Sequence, residues 1–246
     1  MERPKNIVFA LLLMFLFFHA TASFKTEIYQ AFISNDMNRW KKVIDKMNYI
    51  QPRTDELRLE LLNYQYGYIG FCIGNKQPVE AKKYLALAEE NLAFFEKSGK
   101  NPSLMNAYKS AIYGYKVGLN KIQAPFLGPK SVEFAKTAVE LDDKNPYGYI
   151  QIGNAEFYMP EIFGGSKKKS LEYYLKAEKL MLHTPGNIQN DWNYLSLLVM
   201  IVQCYKELKQ YQMAEIYCEK ALKTEPEYLW VKIDLLPKIK NLIKNQ

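Results

Sequence analysis

Four helix-compatible stretches of this chain each carry two small residues seven positions apart: Ala81 and Ala88, Ser131 and Ala138, Ser170 and Ala177, Ala214 and Ala221. Seven residues is about two helical turns, so both members of a pair lie on one face and a second helix can approach closely there. The pairs begin 50, 39 and 44 residues apart, a period typical of paired-helix repeats with insertions in their connections. The spacing predicts an all-α chain, an α-solenoid of about five helix-turn-helix repeats closed by a C-terminal helix. Such a fold supplies a surface without naming what binds to it.

The N-terminus belongs to a different kind of segment. Arg3 and Lys5 precede an unbroken apolar run from Ile7 to Phe18, followed by Ala20-Thr21-Ala22. This is the pattern of a secretory signal peptide cut after Ala22, so residues 1–22 are set apart from the fold and 23–246 are read as one solenoid domain. An uncleaved anchor is the alternative, but the run makes only about 18 Å of helix against a hydrocarbon core of roughly 30 Å. No integral membrane segment is expected after cleavage. Taking Arg3, Lys5 and Glu2 from the 33 basic and 26 acidic residues leaves 31 and 25. The excess is lysine spread along the chain, which suits solubility and acidic partners better than nucleic acid. An exported protein follows, with the periplasm as its destination.

The last unit is the clearest repeat. Leu198, Ile201, Tyr205, Ala214, Ala221 and Pro226 stand in order along 191–226, and this series resembles a tetratricopeptide repeat (TPR), with Val202 where the family usually has glycine. Leu198, Ile201 and Tyr205 are expected to be buried against the second helix, and Pro226 to end it. Gly114, Ser131 and Ala138 recur 39 residues later as Gly153, Ser170 and Ala177. In both units the step from glycine to serine is 17 residues, longer than the family pattern. That predicts two extended connections, 123–129 and 159–165, emerging at one edge. The first unit, 24–49, places Trp40 and Met47 at the small-residue positions and reads as a degenerate cap. A final helix over 228–244 is expected to bury Leu229, Ile233, Leu236, Ile239 and Leu242 or Ile243 and to kink at Pro237. Its lysines also suit a helix lying on a membrane surface.

Catalytic constellations are hard to assemble from these residues. Once His19 is assigned to the signal, His183 is the one histidine left, at a helix end before a turn, where the macrodipole alone favours it. Cys72, Cys204 and Cys218 are an odd set in apolar helical stretches. They read as small core residues, with a Cys204–Cys218 disulfide as the alternative. No metal site, cofactor or enzymatic activity is expected. Ser166-Lys167-Lys168-Lys169 opens a helix with three cations, against its dipole. An anion or acidic partner there would offset the conflict; an ordinary Ser166 cap with solvated lysines is the other reading.

The TPR resemblance implies that the first helix of each pair lines a concave face. Carried onto this sequence, that face holds Tyr66, Tyr108, Tyr115, Tyr147, Asn154 and Phe157. Rigid aromatic side chains suit recognition of a protein or peptide partner. An aromatic stripe of this spacing also suits a core. Some solenoids of the family are partner subunits of TRAP-type periplasmic transporters, to which the connection at 160–165 and the tyrosine-rich interior are weakly similar. That resemblance implies the alternative function, carriage of a small hydrophobic or lipid ligand.

Overall fold

The computed structural model describes residues 24–183 and 188–245. The predicted signal segment lies outside the described residues. Within them the chain is all-helical, without strands. Helix α1 covers 24–33, followed by α2 (Met37–Tyr49), α3 (Asp55–Gly74), α4 (Pro78–Ser98), α5 (Pro102–Leu119) and α6 (Ala124–Leu141). After these come α7 (Pro146–Tyr158), α8 (Lys167–Leu182), α9 (Trp192–Glu207), α10 (Tyr211–Thr224) and α11 (Leu236–Lys244).

Local chemistry sets the starts. Asp36, Thr54, Asn145, Ser166 and Asp191 each accept a backbone N–H of the turn that follows, and Pro78, Pro102 and Pro146 occupy first helical positions that need no N–H donor. All eight members of the small-residue pairs are buried. They let consecutive helices pack as antiparallel pairs. In α5 and α6, Ser103 Oγ donates to the Ala138 carbonyl (2.7 Å) near one end and Ser131 Oγ to the Ser110 carbonyl (2.8 Å) near the middle. Leu198, Ile201 and Tyr205 are buried as the repeat pattern requires.

The first helices of successive pairs run parallel. The Tyr115 hydroxyl donates to the Tyr66 carbonyl (3.0 Å), Gly118 faces Ile73 one turn on, and Tyr108 lies against Tyr147. The chain also closes on itself. The Tyr29 hydroxyl donates to Glu225 (2.8 Å), and the Phe32 and Tyr228 rings lie 5.2 Å apart. The first helix therefore seals the space at the end of the last pair. Trp40 and Met47 are fully buried, so in the first pair bulky residues fill the place of the small ones.

Two expectations are corrected. Residues 123–129 are not a loop: α6 begins at Ala124, so only a 3-10 turn (Lys121–Gln123) connects it to α5, and the extra residues lengthen the helix. Pro125 stands in the first turn, where its missing N–H costs nothing. At the C-terminus, the turn Val231–Leu235 is a π-helical turn, with the Leu236 N–H bonded to the Val231 carbonyl. This widened turn precedes Pro237. Val231, Leu235 and Ile239 are buried, whereas Leu229 and Ile233 face outward. The three cysteines are free and buried, in keeping with their reading as small core residues and not with the alternative Cys204–Cys218 disulfide.

Candidate functional site

The inner face carries a continuous column of aromatic rings. Tyr66 of α3 stacks on Tyr115 (5.7 Å between centroids) and meets Tyr108 edge-on (5.9 Å), both from α5. Tyr108 continues to Tyr147 of α7 (6.3 Å). On its other side Tyr66 reaches Trp192 of α9 (6.2 Å), which packs edge-on against Trp40 (5.0 Å) and next to Phe32 (5.8 Å). Gly67 makes that approach possible: a Cβ there would lie 2.6 Å from the Trp192 ring.

Four of the predicted groove residues thus come together, but as mutual partners. Asn154 joins through a polar chain: the Tyr174 hydroxyl donates to Asn154 Oδ1 (2.7 Å), Asn154 Nδ2 to Gln151 Oε1 (3.0 Å), and Gln151 Nε2 to the Tyr66 hydroxyl (3.3 Å). Tyr66, Tyr115 and Tyr147 keep some accessible surface, yet burial pushes their hydroxyls above the usual phenol range. Together these describe side chains lining a narrow interior, neutral at physiological pH. Phe157 stands apart at the end of α7, packed edge-on to Tyr158 (5.1 Å).

Sequence reasoning missed Trp192, Trp40 and Phe32 as members of the column, because they fall outside the concave positions of the repeat and arrive through ring closure. It also missed Glu60 and Asp191. Asp191 accepts both the backbone and side-chain N–H of Asn193 (2.9 Å each), while Glu60 Oε2 is buried without a partner. Burial raises both carboxyl pKa values, opposed for Glu60 by Lys25 and for Asp191 first by the Asn193 hydrogen bonds and then by Lys25. For Glu60 the raised folded pKa means that ionisation weakens the fold as pH rises through it. Glu60→Gln should therefore raise the urea midpoint at neutral pH, the gain fading as pH falls to 4.5 and below. Urea titrations across that range check this; a gain independent of pH would refute it.

Five exposed large apolar side chains lie away from the column, alongside the isolated Tyr49 and Val79 at the ends of other helices. Ile122 and Phe126 sit where α5 passes into α6, and Tyr158, Ile162 and Phe163 where α7 passes into α8; each is 71–85% exposed. Both junctions follow the C-terminal ends of first helices, but of the two extended connections expected only the second, at 159–166, is one. The second is a hydrogen-bonded knuckle. The Phe163 and Gly165 N–H groups donate to the Pro160 carbonyl (2.9 and 3.2 Å), and the Ser166 N–H to the Glu156 carbonyl (3.0 Å).

The basic run borders this knuckle. Ser166 Oγ accepts the Lys169 N–H (3.3 Å), and Lys167 Nζ donates to the Phe157 carbonyl while lying 4.0 Å from the centre of its ring. Ser166 is thus a helix cap and Lys167 turns inward, while Lys168 and Lys169 are exposed. His183 is exposed at the end of α8. Among the described residues no group of histidine, cysteine or carboxylate side chains has the arrangement of a metal site, and no helix is long and apolar enough to cross a membrane.

Paired helices around an aromatic interior make the described residues an all-helical fold of stacked helix pairs. Among solved structures the chain is similar to the HusA haemophore from Porphyromonas gingivalis, at a TM-score of 0.57 and 18% identity over 76% of this chain and 93% of that one. The likeness is one of fold. No family model and no curated protein matches the sequence.

Proposed function

We propose that this protein is an exported, TPR-like α-solenoid that binds a flat hydrophobic molecule of the porphyrin class at its apolar edge. The observation that carries the reading is the exposure of Ile122, Phe126, Tyr158, Ile162 and Phe163 around the α5–α6 and α7–α8 junctions. The hydrogen-bonded knuckle holds Ile162 and Phe163 out, and exposed apolar side chains grouped at one edge support a binding surface there. The name of the similar structure, a haemophore, supplies the ligand class. Uptake at the edge needs no opening of the aromatic column.

Haemin titration tests this. The absorbance of haemin should shift on binding, and Ile162→Ser with Phe163→Ser should weaken the affinity by roughly tenfold or more, since each side chain would lose about 1.5–3 kcal/mol of burial. No spectral change, or a change indifferent to both substitutions, would refute the reading.

A second reading is a non-catalytic scaffold for a protein or peptide, favoured by the accessible surface that Tyr66, Tyr115 and Tyr147 retain on the inner face. Native mass spectrometry of the protein purified gently from an expressing bacterium separates the two. A released mass of a few hundred daltons supports the small-molecule reading, and a copurified polypeptide supports the scaffold.

A further inference from the structure

The opposite edge of the molecule holds a polar network whose donors outnumber its acceptors. It is built where α2 ends, α3 begins and α4 passes behind them. Arg53 donates through its terminal nitrogen to the Asn48 carbonyl. Gln65 Nε2 donates to Asn48 Oδ1 (3.4 Å), Asn91 Nδ2 to Gln65 Oε1 (3.0 Å), and Arg58 to Asn91 Oδ1 (3.5 Å). Gln65 and Asn91 are fully buried. Each of these acceptors is therefore engaged. Three donor atoms, Asn48 Nδ2, Arg53 Nε and Arg58 Nε, are buried with no partner.

The charge balance points the same way. Arg53 and Arg58 are two of only four arginines in a chain that otherwise uses lysine. Among the described residues neither forms an ion pair. Arg58 is braced on the Phe94 ring (4.3 Å). Burial and the neighbouring Arg58 charge lower the Arg53 pKa, with Glu90 opposing. Buried donors left without partners, beside guanidiniums that repel each other, are costly unless an acceptor-rich anion joins them. The planar guanidinium fork matches the oxygens of a phosphate.

We infer that Asn48, Arg53 and Arg58 form an oxyanion site for a phosphate group, either free or carried on a lipid headgroup. The site is separate from the apolar edge. It lies at the N-terminal end of α3, which the Lys100–Asp55 ion pair ties to the start of α5, whereas Ile122 and Phe126 follow the C-terminal end of α5.

The test uses the whole protein with inorganic phosphate at constant ionic strength, chloride making up the difference. Phosphate should raise the melting temperature beyond matched chloride. Arg53→Gln and Arg58→Gln should each weaken that response by roughly ten- to hundredfold in apparent affinity, the value of a charged hydrogen bond. Lys136→Gln, which removes an exposed charge from α6, should leave it unchanged. Arg53→Lys keeps the charge without the fork, and its weakened response reports on the site even if a glutamine variant fails to fold. Phosphatidylcholine vesicles with and without phosphatidic acid identify the source. Arginine-dependent sedimentation only with phosphatidic acid assigns a lipid headgroup, and a phosphate response without sedimentation assigns a free phosphate. A phosphate response no larger than that to chloride, or one undiminished in Arg53→Lys and the folded glutamine variants, overturns the inference.

Discussion

Trp40→Ala should destabilise the fold by about 3–5 kcal/mol, the range for truncating a large buried aromatic side chain. Trp40 is fully buried, and its indole N–H donates to the Tyr64 carbonyl (3.0 Å). Its ring contacts Phe32 of α1, Tyr64 of α3 and Trp192 of α9. Three helices distant in sequence thus share one side chain, and its removal leaves a cavity that cannot collapse without moving all of them. Urea unfolding followed by circular dichroism measures the loss. Trp40→Phe should cost less, because it keeps part of the ring packing. A midpoint for Trp40→Ala no lower than that of Tyr49→Ala, an exposed site, would show that the aromatic column does not hold the first pair to the rest.

Gly165→Ala should disrupt the 159–166 knuckle while leaving the helices intact. A Cβ at this position would lie 1.9 Å from the Met159 carbonyl oxygen. That atom belongs to the backbone, so no rotamer change relieves the clash and the connection has to move. The expected cost is at least the 1–3 kcal/mol typical of overpacking, with Ile162 and Phe163 displaced from the edge and haemin affinity reduced with them. Gly128→Ala is the comparison, since nothing lies near its added methyl within α6. It should be neutral or stabilising by about 0.4–1 kcal/mol, through lower entropy of the unfolded chain. Equal melting temperatures and equal haemin binding for the two variants would remove the knuckle from the functional account.

Much of the architecture is legible in single residues. A small residue every two turns dictates close helix approach whatever surrounds it, which is why all four pairs predicted from spacing are buried seams. Capping residues and N-terminal prolines are equally local. The extra residues at 123–129 were less legible, because proline near a helix start is compatible with both a loop and a first turn. The C-terminal register differs because two apolar faces compete there: Tyr228, Val231, Leu235 and Ile239 form the buried one, which leaves Leu229 and Ile233 outward.

The candidate sites divide along the same line. Repeat offsets predicted Tyr66, Tyr108, Tyr115 and Tyr147 on one inner face, since each offset is a short-range property of its own helix. Their engagement with Trp192, and hence with Trp40 and Phe32, depends on α1 meeting the final pair, a contact between residues nearly the whole chain apart. The orphaned donors of Asn48, Arg53 and Arg58 are likewise invisible until α2, α3 and α4 are packed, because acceptor shortage is a property of an assembled network. Helix boundaries, pairing and the apolar character of the two connections were determined by the sequence itself, through forces that act within a few turns. Which aromatic side chains fill the interior, and which charges are left without partners, was decided only by the tertiary structure, because hydrogen bonds and burial are shared among helices that meet only when the chain closes.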